Sequence, residues 1–244
     1  MRFEKIYTAR ATTIRLPPAG HRLPVRPAEA ESPRAVLPAP IVAEREQRPP
    51  VEAIRAAAFA QFAERGYPVV TVRDIMKACG LTQGALYNHF KSKDELLHDI
   101  IASTQAELER LCQQAVAGAG DDPRAKLAAF VRVYVVRHCR LRVEALVANR
   151  EIGWLGAERV ADIRRSRRAI RDIVVGILAE GVERGLFDPP QIDGRRDLKA
   201  MAMALLDQCT HVSMWYGPGG DLGEEQMARL YADMALRAAG ARPQ

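Results

Sequence analysis

The stretch that decides the fold is TVRDIMKACGLTQGALYNHFKSK, residues 71–93. Thr71 is a side-chain cap for a helix whose apolar face is Val72, Ile75 and Met76, and Cys79-Gly80 stops it. Thr82 caps a second helix that ends before Lys91. In that helix Ala85 and Leu86 are apolar, while Gln83, Tyr87, Asn88 and His89 offer donors, acceptors and a ring to whatever lies outside. Helix, turn of about three residues, helix is the spacing of a helix-turn-helix, whose second helix enters the major groove of DNA.

The module extends in both directions. VEAIRAAAFAQFAERG, residues 51–66, reads as one amphipathic helix with Ile54, Ala57, Ala58 and Phe62 on its buried side and Gly66 as its stop. The succession A-x-x-x-F-A-E-R-G-Y, then T-V-R-D-I, then G-L-T-x-G-A-L-Y-N-H-F-K-S-K-D-E-L-L resembles the N-terminal domain of TetR-type transcriptional repressors. It does so without a gap over residues 51–97.

With the composition and periodicity of the rest of the chain, an all-α protein with three parts is expected. A proline-rich basic tail (1–50) precedes the three-helix DNA-binding domain (51–97), and an all-α effector-binding and dimerisation domain (98–240) follows. On the DNA side the resemblance places Thr82, Gln83, Gly84 and Ala85 towards base edges, with Gln83 able to bridge N6 and N7 of adenine. Tyr87 and His89 match the pair that clamps the phosphate backbone. Lys93, in the first turn of the next helix, and Thr71 are phosphate contacts by the same comparison, although capping alone also explains Thr71.

Composition agrees with this division. The chain has 244 residues, 48% hydrophobic and 27% charged, which excludes fibrous and membrane-spanning classes. Its net charge of +6 is unevenly spread: residues 1–50 carry 9 basic and 5 acidic groups, residues 51–93 carry 6 and 3, and the remainder 21 and 22. Positive charge therefore gathers where phosphate neutralisation needs it. Nine prolines between Pro17 and Pro50 predict a disordered tail. The four cysteines, Cys79, Cys112, Cys139 and Cys209, have no metal-ligand spacing and read as buried thiols. No cofactor or metal is expected, and the absence of a signal sequence predicts a cytoplasmic protein.

Beyond Lys93 every long segment has helical period. Expected helices start at Ser92, Asp122-Pro123, Arg142, Ala157, Asp197 and Gly223. The last two carry more apolar surface than one exposed hairpin needs. In TetR-like proteins they pair with their copies in a homodimer that grips a palindromic operator, so Leu205, Cys209, Val212, Leu230 and Met234 are assigned to the interface.

The resemblance also implies a small-molecule pocket between the helices from Ser92 to Arg184. VANRE (147–151) and SMWYGPGG (213–220) look like the subgroup that responds to acyl-coenzyme A thioesters in fatty-acid or sterol catabolism. Arg164, Arg167, Arg168 and Arg171 share one edge of a helix beside the apolar stripe Ile163, Ile170, Val174 and Ile177, which suits a ligand with phosphates at one end and hydrocarbon at the other. A solvated face partly neutralised by Asp172, four residues after Arg168, is the competing reading. Tyr134, His138, Trp154 and His211 complete the candidate lining. An activator or architectural binder built on the same DNA-binding domain is the alternative function. An enzyme is not expected, because no GxSxG, HExxH, Walker or GxGxxG motif occurs and adjacent His138 and Cys139 diverge by about 100° on a helix.

Overall fold

The computed structural model describes residues 50–191, 193–217 and 219–241, and the expected tail lies outside them. Among the described residues the elements are α1 (Pro50–Arg65), α2 (Val72–Cys79), α3 (Gln83–Tyr87), α4 (Lys93–Ala117), α5 (Pro123–Arg140), α6 (Arg142–Arg150), a 3-10 turn (Glu151–Trp154), α7 (Ala157–Glu183), α8 (Leu198–Trp215) and α9 (Glu224–Ala238). No β-strand occurs among them. None of the helices is long and apolar enough to cross a membrane.

The sequence punctuation acts as read. The Thr71 hydroxyl accepts from the Asp74 amide while the Asp74 carboxylate takes the Thr71 amide, a closed capping box. Gly80 ends α2 in the left-handed conformation at φ 70°. Ser92 caps α4 through the Glu95 amide, and Asp122 with Pro123 opens α5.

Two cores result. Ile54, Phe62, Ile75, Met76 and Leu86 close the three-helix head together with Leu96, Leu97 and Ile101 of α4. The second core is built on α5, whose Phe130, Tyr134 and Val135 pack with Val174 and Leu178 of α7 and with Cys209, Val212 and Tyr231 of the last hairpin. The expected boundary at residue 97 falls inside α4, an unbroken helix of 25 residues. Its first turns belong to the head core, whereas Leu108 and Cys112 belong to the second. A stiff element shared by both cores is a mechanical link rather than a hinge.

Cys112, Cys139 and Cys209 are buried free thiols, and burial pushes their pKa values up to about 12, 11 and 12. Cys79 is only half-buried, with its Sγ 3.2 Å from the Ile75 carbonyl oxygen.

The bend after α7 depends on one missing methyl. A Cβ on Gly181 would lie 2.0 Å from Cδ2 of buried Phe187, whose amide donates to the Gly181 carbonyl at 3.0 Å. Gly181→Ala is expected to cost about 2 kcal/mol by overpacking, read as a lower urea midpoint with unchanged slope.

Candidate nucleic-acid interface and ligand cavity

Helix α3 has 5 residues. Leu86 alone is fully buried on it, anchoring the helix to the head core, and Ala85 is half-buried against that core. Thr82, Gln83, Gly84, Tyr87 and His89 are exposed together on the opposite side, with Tyr87 60% exposed despite its aromatic ring. A large exposed ring beside exposed polar groups is what the reading helix of a helix-turn-helix presents to solvent when no DNA is bound. Gly84 faces open space, so its lack of a side chain is not required for packing. Thr82 occupies the N-cap position but makes no side-chain cap bond, leaving its hydroxyl available.

Two expected contacts are placed differently. The Thr71 hydroxyl donates to Asp74 at 2.7 Å, so that side chain is consumed by capping. The Lys93 ammonium turns inward, donating to the carbonyl oxygens of Tyr67 (2.9 Å) and Val70 (2.8 Å) while lying 4.1 Å from the Tyr67 ring centroid. The reason is local: the Gly66–Val70 corner exposes carbonyls that no helix satisfies, and the long lysine stem reaches them.

Gln83→Ala is expected to change which operator base pairs matter, whereas His89→Ala should weaken all DNA by a similar factor and lower the salt slope by about 1. Binding titrations on a set of point-mutated operators at several salt concentrations separate the two. Equal loss on every sequence with Gln83→Ala would remove its role as a base reader.

Behind the head, α4 to α8 enclose a cavity of about 740 Å³. That is within the range of small-molecule sites. Tyr134, His138, Arg164, Arg167 and Arg168 line it as expected, and Arg171 joins them. Trp154 does not line it: the indole is 54% exposed on the 3-10 turn, with its ring 6.5 Å from that of Tyr67. His211 is also outside, exposed and bonded to the Asp207 carbonyl, because one residue past the cavity-lining Thr210 the helix has turned by about 100°. Sequence reasoning missed Gln105, Arg137 and Thr210. Gln105 was findable, since it stands four residues after Ile101 and three before Leu108 on an otherwise apolar face.

The arginine edge divides by partner. Arg171 pairs with its neighbour Asp172 at 2.6 Å, so Asp172 does not neutralise Arg168. Arg164 and Arg168 are exposed and have no acidic partner among the described residues. Arg167 is half-buried and donates to the Ala148 carbonyl (3.2 Å) and Asn149 Oδ1 (3.0 Å), and burial lowers its pKa. One residue on, Arg150 donates to the Phe62 carbonyl at the end of α1 (2.9 Å) and pairs with buried Glu151 (2.6 Å). The cavity wall is thus bonded through the end of α6 to the base of the DNA-reading head.

His138 is buried against Tyr134, and burial, opposed by its bond to the Tyr134 carbonyl, pulls its pKa down to about 4. The unfolded ring, near 6.5, binds a proton that the folded ring refuses. Stability is therefore expected to be lost as pH falls from about 6.5 through about 4, and His138→Phe should flatten that limb of a melting-temperature profile.

The assigned interface residues also divide. Leu205, Cys209 and Val212 are buried in the subunit's own core, because the apolar stripe of α8 is used against α5 and α7. Leu230 is 44% exposed and Met234 half-buried. The outward apolar surface of the last hairpin comes instead from Met203, Met214, Trp215, Leu222 and Leu230.

Comparison with known proteins agrees with this geometry. A family model for bacterial regulatory proteins of the tetR family matches residues 54–100, and one for the tetracyclin repressor-like C-terminal domain matches residues 120–239. The HTH-type transcriptional repressor KstR2 of Rhodococcus jostii is 31% identical over 178 residues, spanning 72% of this chain and 83% of its own. KstR2 of Mycobacterium tuberculosis is 31% identical over 196 residues, spanning 73% and 87%. A solved tetR-family regulatory protein from Rhodococcus RHA1 superposes with a TM-score of 0.70 at 28% identity, covering 79% of this chain and 98% of that one. AibR, solved in complex with isovaleryl coenzyme A and operator DNA, superposes at 0.67 and 23% identity over 79% and 99%, a likeness that shows the fold alone. With relatives above 30% identity across more than two thirds of its length, the chain belongs to the TetR family, as a DNA-binding transcriptional repressor of that type and not an enzyme.

Proposed function

We propose that this repressor works in the cytoplasm as a homodimer on a palindromic operator and is released from it by an acyl-coenzyme A thioester bound in the α4–α8 cavity. The observation that carries the effector reading is that the cavity lining joins unpaired cations to apolar side chains. Arg164 and Arg168 line the cavity without acidic partners among the described residues, and Leu108, Ala148 and Ile170 supply apolar surface. Phosphates suit the first and an acyl group the second. The link from Arg167 through Ala148 and Asn149 to Arg150 and Phe62 supplies a route to the head, and a ligand shifts that balance only through unequal affinity for its two arrangements. The dimer reading is supported by the exposed Met203, Met214, Trp215, Leu222 and Leu230.

The test is fluorescence anisotropy on labelled DNA from upstream of the protein's own gene, at physiological salt, with and without a panel of acyl-coenzyme A esters. Tight binding released by an ester supports the reading. Tight binding that no ester disturbs removes the thioester. Light scattering at micromolar concentration is expected to give about twice 27.0 kDa, and a value near 27.0 kDa would remove the dimer.

A further inference from the structure

One wall of the cavity is polar where a plain hydrocarbon would call for apolar side chains. Gln105 on α4 is 8% exposed, lines the cavity, and its amide makes no hydrogen bond among the described residues. His138 on α5 is 6% exposed and bonds through Nδ1 to the Tyr134 carbonyl oxygen at 2.8 Å. A carbonyl only accepts, so Nδ1 carries the hydrogen, and the neutral ring leaves Nε2 as a bare acceptor with no partner among the described residues. Arg137, the preceding residue on α5, also lines the cavity, and its Nε is buried and unpartnered although Nη1 reaches Glu144 at 3.4 Å. The Arg137 Nε is closed off from the cavity space, whereas the Gln105 amide and His138 Nε2 open onto it with no protein partner among the described residues, so these two are the polar atoms a ligand can meet. The Tyr134 hydroxyl is not one of them, being bonded to Thr210 at 2.9 Å.

The pair has a chemistry. His138 Nε2 needs a donor, which a ketone, ester or thioester oxygen cannot supply, whereas Gln105 offers both a donor and an acceptor. A hydroxyl meets the first with its hydrogen and the second with its lone pairs. Beside these groups the Tyr134 ring stacks on that of His138 at 4.4 Å, and both line the cavity as a flat surface for hydrocarbon. We propose that the cavity selects a hydroxylated acyl group, reading its hydroxyl through His138 and Gln105, and rejects the saturated acyl group of the same length. This rests on the thioester reading of the cavity and specifies it further.

The test uses the intact protein and matched coenzyme A thioesters: octanoyl with 3-hydroxyoctanoyl and 8-hydroxyoctanoyl, and cyclohexanecarbonyl with 4-hydroxycyclohexanecarbonyl. Calorimetry is expected to show a hydroxylated member binding at least tenfold tighter than its parent, since a site built to bond a hydroxyl discriminates strongly against its absence. His138→Phe and Gln105→Leu should each reduce that ratio below threefold. Parent and hydroxylated esters binding equally would overturn the hydroxyl proposal while the thioester reading stood, and binding of no ester would remove both. A second measurement needs no ligand. If the Gln105 amide is unsatisfied in the free protein, Gln105→Leu should raise its melting temperature by several degrees, and a fall would show the amide to be structural and overturn the assignment.

Discussion

Replacing Lys93 with methionine is expected to lower the unfolding free energy by about 3 kcal/mol and to weaken operator binding without changing its salt dependence. The substitution keeps the stem and removes the donors. Two carbonyl oxygens, of Tyr67 and Val70, then lose a bond at 2.9 and 2.8 Å each. Bonds from charged donors contribute roughly 1.5–3 kcal/mol apiece, and partial exposure lets water replace some of that. The affected corner joins α1 to α2, with Tyr67 packed 5.2 Å from Phe62 and its hydroxyl donating to Asp94. A looser corner reduces the fraction of heads with α2 and α3 correctly set, and apparent affinity falls in proportion. A phosphate ligand behaves otherwise: its loss lowers the slope of log affinity against log salt by about 0.9 and leaves stability nearly unchanged. Urea denaturation and a salt series on one variant separate the two, and the second pattern would return Lys93 to the DNA surface.

Lys93 also shows where the sequence stops being legible. Its position in the first turn of α4 is readable from Ser92 and the period that follows, and so is the favourable dipole for an anion. Nothing in the local string says that the corner at Gly66 leaves two carbonyls within reach, because that is a contact across 23 and 26 residues. The same distinction runs through the molecule. Helix ends at Gly66, Gly80, Ser92 and Asp122 are short-range events and were readable. The apolar stripe of α8 was readable as a stripe, but whether Cys209 and Val212 face α5 or a second subunit depends on how the hairpin is laid down, which periodicity does not encode. His211 and Trp154 failed for a related reason: aromatic and histidine side chains in a helical domain mark neither a cavity nor its outside. The arginines of α7 do line the cavity, because four cations beside an apolar seam constrain a helix face directly.

Those arginines carry the larger prediction. Arg164→Ala with Arg168→Ala is expected to weaken acyl-coenzyme A binding at least about 100-fold, with operator binding as the control that the protein is folded. Both side chains are exposed, line the cavity and have no acidic partner among the described residues, so removing them breaks no bond within the protein. What they hold is then visible only when ligand is present. Two charge-assisted phosphate bonds, discounted for exposure, amount to about 2.7 kcal/mol, or two decades in affinity. The loss should shrink as salt rises, because screening reduces what there is to remove. An unchanged thioester affinity would make the edge a solvated face. Arg167→Ala must be kept apart from this pair. Its guanidinium holds the Ala148 carbonyl and Asn149, next to the Arg150 bond that reaches α1. For that variant calorimetry should show coenzyme A thioesters still binding while the anisotropy of the operator complex no longer responds to them, since the connection to the head, rather than the phosphate grip, has been removed.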